Sequence, residues 1–202
     1  MAAIDLKVQR KDLYYPPANE VTFADVPEMR YLAVDGAGDP NTATAYREAV
    51  EALYAVAYAL KFARKPSLDY KVMPLEGLWW LDGEPFTPGW KERLTWTLLI
   101  RQPDDMTAAH LDEARQQVAR KKKALPALDA LRLETLCEGR SAQIMHLGPY
   151  ADEEPTGRRL HAAIAEQGYT PRGKHHEVYL DDPRRTAPEK LRTVLRQPVT
   201  AR

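Results

Sequence analysis

The sequence predicts an α+β fold made of two similar strand–helix–strand–strand units. The same order of strand-like and helix-like segments occurs twice along the 202 residues. Each series also ends in a similar run, LLIRQP at residues 98–103 and TVLRQP at residues 193–198. Glu76 in the first half and Glu177 in the second hold matching places, one element before these runs. A repeated motif within a repeated order of elements indicates an internal duplication.

The first unit is predicted from hydrophobic spacing and from glycine and proline positions. Its helix begins near Thr42 or Thr44, where apolar residues start to recur at helical spacing, and Pro66 ends it. A turn rich in Gly and Pro, around residues 83–89, separates its last two strands. The unit thus has a strand, a helix and two strands, at residues 30–34, 44–64, 70–80 and 94–101.

The second unit follows a helical stretch at residues 108–123, which we expect to connect the halves. Glu138-Gly139-Arg140 predicts a turn between two short strands, and Gly168 suits the C-terminal cap of the following helix. The predicted elements are strands at 131–137 and 142–147, a helix at 155–167, and strands at 175–180 and 191–197. We expect an N-terminal extension (1–20) and one domain (21–202), with repeats at about 21–104 and 130–200 and a connecting helix at about 105–125.

Composition argues against nucleic-acid and membrane partners. The 29 basic and 29 acidic residues give a formal net charge of zero, so no global field would draw the chain onto nucleic acid. No apolar run reaches the roughly 18 residues that a membrane span requires. The first residues do not resemble an export signal, and the single cysteine, Cys137, fits a reducing compartment. We therefore expect a cytoplasmic protein.

Three segments make the sequence resemble the GyrI-like small-molecule-binding family. They are EGRSAQIMHLGPY at residues 138–150, GKHHEVYLDDP at 173–183 and PEKLRTVLRQPV at 188–199, with PLEGLWW at 74–80 as weaker support. The resemblance implies a pseudo-twofold pair of units whose antiparallel sheets form a central ligand groove. It also implies a small-molecule ligand, aromatic or cationic, while any protein partner stays unknown.

The segment Leu-Glu-Gly-Leu-Trp-Trp is similar to one stand-alone branch of that family. Members of this branch hydrolyse the strained cyclopropane of DNA-alkylating cyclopropanoid compounds, which is a detoxification reaction. The resemblance therefore implies a cyclopropanoid cyclopropyl hydrolase that adds water. The alternative is a non-catalytic binder that sequesters or senses flat, apolar or cationic drugs. No residue argues for inhibition of gyrase by direct contact.

Aromatic residues in the predicted strands are candidates for the walls of the groove, because flat ligands need polarizable surfaces. Any single aromatic residue could equally belong to the core. Trp79 and Trp80 are informative because adjacent strand residues face opposite sides, so both are not expected to serve one core. The ligand-binding candidates are Trp79, Trp80, Trp96, Tyr179, His146 and His176, and Trp90 belongs to the same aromatic set.

Glu177 is the first catalytic candidate. The resemblance places the matching glutamate in the ligand groove, where it offers a negative charge to cations or a base to water. The duplication predicts that Glu76 approaches Glu177 from the equivalent strand, giving a carboxylate pair that divides acid and base roles. Glu76 or Tyr150 would then protonate or polarise the carbonyl that is conjugated with the cyclopropane.

The sequence predicts neither a metal nor a cofactor. His175 and His176 are adjacent on a strand and point apart, and no third ligand has suitable spacing. His175 or His176 could instead orient a glutamate or a ligand, and His146 suits a hydrogen-bonded structural role. The segment Asp35-Gly36-Ala37-Gly38 lacks the lysine and serine of a phosphate-binding loop and the third glycine of a dinucleotide-binding loop.

Overall fold

The computed structural model describes residues 3–81, 93–121 and 124–202, so the predicted turn at 83–89 and Trp90 lie outside the described residues. The helices in this part of the chain are α1 (Leu6–Gln9), α2 (Lys11–Tyr14), α3 (Thr44–Arg64), α4 (Ala108–Lys121) and α5 (Glu154–Glu166). The strands are β1 (Thr22–Ala37), β2 (Leu75–Trp80), β3 (Thr95–Arg101), β4 (Arg132–Leu147), β5 (Tyr169–Pro171), β6 (His175–Tyr179) and β7 (Arg192–Ala201).

Six antiparallel strands close into a barrel in the order β4–β1–β3–β2–β6–β7. The pairing of β4 with β7, from Ser141↔Pro198 to Leu147↔Arg192, completes the ring, and β5 adds to the end of β7. β1, α3, β2 and β3 in one half correspond to β4, α5, β6 and β7 in the other. Equivalent strands pair across the pseudo-twofold axis, β1 with β4 and β2 with β6. The predicted α+β duplication is confirmed.

Two predicted strand boundaries are wrong for the same reason. β1 has 16 residues instead of five, and the two strands expected on either side of Gly139 form one 16-residue strand, β4. β1 and β4 pair from Thr22↔Gln143 to Ala33↔Arg132, so each supplies the other's backbone hydrogen bonds along this length. Gly139, with φ of 62°, adopts the left-handed conformation within β4 that the sequence suggested for a turn.

The helices cover the outer face of the barrel. α3 packs against β1 and β3, α5 packs against β4, β5 and β7, and the connecting helix α4 lies against α3. Leu160 and Ile164 of α5 are fully buried against Ile144 and Leu195, which forms a second, smaller core. No helix in the described ranges has the length and apolar character needed to cross a membrane.

The N-terminal residues fill the inside of the barrel. Leu13 and Tyr14 of α2 are almost completely buried. The guanidinium of Arg196 donates to the carbonyl oxygen of Leu13 at 2.7 Å, and the Tyr14 hydroxyl donates to Glu76 at 3.1 Å. Leu13 and Tyr14, which the sequence left as part of an extension, therefore contribute to the core.

A chain of paired charges lies inside the barrel. His176 contacts Glu138 through Nδ1 at 3.0 Å and Glu76 through Nε2 at 3.0 Å. Arg196 donates to Glu138 at 3.3 Å and to the side-chain oxygen of Gln143 at 3.2 Å. We call His176, Glu76, Glu138 and Arg196 the interior charge network. Because both ring nitrogens of His176 face carboxylates, both act as donors and the ring is an imidazolium.

The pKa values of the interior charge network follow from this pairing. Burial by itself lowers the pKa of His176, but the carboxylates of Glu138 and Glu76 outweigh it and raise the value to about 9. Burial raises the pKa of Glu138, whereas His176 and Arg196 lower it to about 2. His176, Glu138 and Arg196 are thus charged at neutral pH, and the members of the network hydrogen-bond one another.

Replacing Glu138 by Gln should lower the free energy of unfolding by about 3–5 kcal/mol, because it leaves buried cations without their counter-charge. Urea denaturation measures this change. Glu154→Gln is the control, since Glu154 pairs with Arg158 on the exposed side of α5, and it should change stability by less than about 1 kcal/mol. An equal effect of the two substitutions would show that the interior charge network does not stabilise the fold.

The stabilising contribution of His176 should depend on pH. Its pKa is 6.5 ordinarily and about 9 in the folded protein. The contribution is therefore fully present below pH 6.5 and is lost as pH rises through about 9. The urea midpoints of the wild type and of His176→Gln should differ most at pH 6 and converge towards pH 9.5. The pH dependence of their difference should correspond to the titration of about one group. A constant difference across that range would contradict the imidazolium assignment.

Candidate functional site

The register of β2 with β6 determines which residues share the outer face of the barrel. Gly77 pairs with Glu177 and Trp79 pairs with His175, so these side chains face the helices. Glu76 pairs with Val178, and Leu78 pairs with His176, on the inner face. One short strand, β6, therefore presents His176 to the interior charge network and Glu177 to the helix-covered side.

Hydrogen bonds hold the Glu177 carboxylate in place. The Tyr179 hydroxyl donates to Glu177 Oε2 at 2.6 Å, and the Trp79 indole N–H donates to the Tyr179 oxygen at 3.1 Å. His175 Nε2 lies 3.4 Å from the other carboxylate oxygen, Oε1. The Glu177 side chain is 15% exposed, so its negative charge lies near the surface but largely out of water.

Aromatic rings from both halves surround this carboxylate. Tyr46 of α3 stacks on Trp79, with ring centroids 6.2 Å apart, and Tyr150 contacts the Tyr179 ring edge-on at 5.4 Å. Tyr150 is 40% exposed, which makes its ring accessible to a ligand. Together with His175 and Glu153, these residues form what we call the carboxylate–aromatic cluster, whose members are Tyr46, Trp79, Tyr150, Glu153, His175, Glu177 and Tyr179.

Glu153 brings a second carboxyl group to the cluster. Its Oε1 atom is buried and has no hydrogen-bond partner. Burial and the charge of Glu177 raise the pKa of Glu153 to about 9, and the Thr193 hydroxyl offsets only part of this rise. Burial and the negative charges of Glu153 and Glu177 raise the pKa of Tyr150 to about 12. At neutral pH the cluster thus combines a neutral carboxylic acid with neutral phenols.

Gly77 lets the Trp79 ring lie flat against β2. A Cβ atom at residue 77 would come within 2.7 Å of Trp79 Nε1, closer than side-chain carbons approach in proteins. Gly77 is inside β2 and pairs with Glu177. The glycine is needed here for the position of the indole that holds Tyr179.

The expected Glu76–Glu177 carboxylate pair is wrong. The sequence placed the two residues at matching positions in the repeats, but the strand pairing does not. Glu76 pairs with Leu99, and Val194, which corresponds to Leu99 in the repeated run, pairs with Val178. Val178 is therefore the counterpart of Glu76, and the side chain of Glu177 faces the opposite side of the sheet. Glu76 bonds Tyr14 and His176 inside the barrel and is completely buried. The carboxyl group that does lie near Glu177 is that of Glu153.

The remaining candidates are divided between the cluster and other parts of the fold. Trp79, Tyr179 and Tyr150 lie in the cluster. Trp80 is on the opposite face of β2, where Lys174 Nζ is 3.4 Å from the centroid of its ring. The other three are Trp96, which is 1% exposed with its ring edge-on to Tyr46; His146, which contacts Thr156 and the Pro149 carbonyl; and His176, which belongs to the interior charge network.

Sequence reasoning missed two members of the cluster. Tyr46 fits the apolar face of α3 and gives no separate signal. Glu153 stands in an acidic run, residues 152–154, that is typical of the first turn of a helix. Glu153 lies between Gly148 and α5, in the segment that joins β4 to this helix. No pattern in the sequence indicates that its side chain turns towards the strands.

Other parts of the described chain offer no comparable chemistry. No group of three or more His, Cys, Asp or Glu residues there could hold a metal ion. One surface depression lies between α5 and the residues before β1, and another lies between α3 and α4. Both are lined mainly by partly exposed or exposed side chains, and neither combines buried carboxyl groups with aromatic rings. The carboxylate–aromatic cluster is therefore our candidate site.

Replacing Gly77 by Ala should displace the Trp79 ring and lower stability by about 1–3 kcal/mol, as overpacking does. Urea denaturation measures the loss, and near-ultraviolet circular dichroism should show a weaker signal from the Tyr46–Trp79 pair. Gly157→Ala in α5 is the control: nothing lies within 4 Å of the added Cβ, and alanine favours a helix. A Gly77→Ala protein as stable as wild type, with an unchanged spectrum, would contradict the placement of Trp79.

Comparison with solved structures supports this architecture. A conserved, uncharacterized protein from Listeria innocua is 37% identical, with a TM-score of 0.91, covering 98% of this chain and 100% of that one. A protein described as a hydrolase, also from Listeria innocua, is 35% identical with a TM-score of 0.88 and the same coverage. The C-terminal domain of EcmrR has 11% identity and a TM-score of 0.59 over 91% of this chain and 98% of that one, which shows a shared fold alone.

A family comparison gives the same result. No curated protein matches the chain significantly. Residues 19–200 match the family described as the GyrI-like small molecule binding domain. This range includes every strand of the barrel and both members of each repeated pair of elements. The chain therefore belongs to the GyrI-like family of small-molecule-binding domains.

Proposed function

We propose that this protein is a hydrolase that adds water to the strained cyclopropane of cyclopropanoid alkylating compounds and so detoxifies them. The observation that carries the proposal is the position of Glu177, a carboxylate that Tyr179 and His175 hold and that Tyr179 links to the Trp79 indole. Two similar proteins from Listeria innocua that are described as hydrolases support the reaction type.

Glu177 acts as the base in this proposal. It accepts a proton from the water that attacks the cyclopropane, while Tyr179 and His175 fix the direction of its lone pairs. General base catalysis of this kind contributes about 10²–10⁴-fold to a rate. Ring opening releases strain, so the protein mainly has to orient the ligand and stabilise developing charge.

The aromatic members of the cluster position the ligand. Tyr150 offers an exposed ring to a flat ligand. Trp79 is packed between Gly77 and Tyr46 and holds the Tyr179 hydroxyl in place. Because its raised pKa keeps the Tyr150 hydroxyl protonated at neutral pH, that group can donate a hydrogen bond to the ligand carbonyl. Negative charge moves to this oxygen when the cyclopropane opens.

The test is conversion of a cyclopropanoid DNA-alkylating agent by purified protein, followed by chromatography and mass spectrometry. The wild type should form a product one water heavier, and Glu177→Gln should lower kcat/KM by at least about 100-fold, because an amide cannot accept the proton. Glu134→Gln, a substitution on the inner face of β4 close to Arg132, is the control and should leave turnover unchanged. Binding without any product would contradict the hydrolase.

A non-catalytic binder is the second candidate, favoured by the negative charge of Glu177 beside stacked rings. A planar cation is stabilised by both features. This function predicts saturable binding of a cationic dye such as ethidium without product, with affinity reduced in Glu177→Gln. Equal affinity of the wild type and the variant would contradict a counter-ion role for Glu177.

A further inference from the structure

Glu153 occupies a position where its carboxyl group would ordinarily cap a helix. It precedes the first residue of α5, and yet its side chain makes no capping hydrogen bond to the helix. Oε1 is buried and has no partner. Since capping does not account for the burial, the carboxyl group must be explained by the residues it faces on the strands.

Glu153 donates its backbone N–H to the Tyr150 carbonyl at 3.3 Å, and the Tyr150 ring contacts Tyr179. Within the described ranges, the groups whose charge or hydrogen bonding acts on Glu153, or on which Glu153 acts, are Glu177, Tyr179, Thr193 and Tyr150, and none of these four is a cation. Glu177 accepts the Tyr179 hydroxyl at one oxygen and lies 3.4 Å from His175 Nε2 at the other. A second buried carboxylate next to it would be repelled and poorly solvated, so the pair is most stable when one member keeps a proton.

We propose that Glu153 is the proton donor of the carboxylate–aromatic cluster: a neutral carboxylic acid that protonates the ligand oxygen on which charge develops. The inference rests on the proposed hydrolase function and assigns to Glu153 the acid role that sequence reasoning gave to Glu76 or Tyr150. The raised pKa of Glu153, about 9, agrees with a group that holds its proton at neutral pH.

The proposed reaction balances with these two carboxyl groups. The water oxygen bonds to a cyclopropane carbon, and the carbon–carbon bond that joins this carbon to the ring system breaks. The electron pair of the broken bond moves through the conjugated system to the carbonyl oxygen, which takes the proton of Glu153. Glu177 takes a proton from the water. After product release, transfer of one proton from Glu177 to Glu153 restores the starting state.

Infrared spectroscopy of the ligand-free protein tests whether Glu153 holds a proton. A neutral carboxylic acid has a C=O stretching band that a carboxylate lacks. At pH 7 the band should be present in the wild type and in Glu154→Gln, a matched change of the neighbouring exposed glutamate, and absent in Glu153→Gln. In the wild type it should disappear as pH rises through about 9, and in Glu177→Gln at a lower pH. A wild type without the band, or a band unaffected by Glu153→Gln, overturns the inference.

Turnover of the cyclopropanoid compound then tests whether the proton is used. Glu153→Gln should lower kcat/KM by at least about 100-fold, whereas Glu154→Gln should match the wild type. The alkaline limb of the wild-type rate profile, near pH 9, should be missing from the residual activity of Glu153→Gln. Circular dichroism checks that Glu153→Gln is folded. We also expect Glu153→Gln to be more stable than the wild type at pH 8. The raised pKa of Glu153 favours the unfolded chain at this pH, because the carboxyl group ionises readily only there, and glutamine removes this effect.

The two proposals fail in different ways. A Glu153→Gln protein with full activity overturns the donor role and leaves the hydrolase function intact. A wild type that binds the compound without converting it overturns the hydrolase function, and the donor role with it, even if the infrared band of Glu153 is present. Loss of activity in Glu153→Gln together with the infrared band and the pH effect supports both.

Discussion

The antiparallel pairing of β2 with β6 is the constraint on which the rest of the structure depends. It joins the two halves across the pseudo-twofold axis, and its register sets Gly77 opposite Glu177 and Glu76 opposite Val178. A shift by one residue would exchange the two faces of the strand. Glu177 would then point into the barrel, and His176 would leave its carboxylate partners for the helix-covered side.

The two faces of β6 have different electrostatic properties. The inner face contributes to the stability of the fold, and the outer face carries the groups proposed to act on a ligand. Inside the barrel, His176 and Arg196 have carboxylate partners, so the interior charge network has little capacity left for a ligand. On the outer face, Glu153 keeps an oxygen without a partner next to the charged Glu177. Groups that are poorly satisfied in the fold are the ones available to a substrate.

The sequence predicted the duplicated fold because hydrophobic spacing and repeated motifs depend on local pattern. It did not predict the partner of Glu177, because the alignment of the two repeats by sequence alone is one residue off in β2 and β6. Strand pairing makes Val178 the counterpart of Glu76, and a difference of one residue turns the Glu177 side chain to the other face. Glu153 was missed for a related reason: its acidic run suits a helix start, and only the tertiary fold turns its side chain towards the strands. Gly139 likewise signals a turn locally, whereas pairing with β1 keeps β4 continuous.

The central claim, that the ligand binds on the outer face of β2 and β6, is tested most directly by the indole N–H resonances of Trp79 and Trp80. These neighbours lie on opposite faces of one strand, so each reports on one side of the sheet. Addition of a planar cationic ligand such as ethidium should shift the Trp79 resonance and leave that of Trp80 unchanged. A shift confined to Trp80 would place the ligand on the other face and contradict the account.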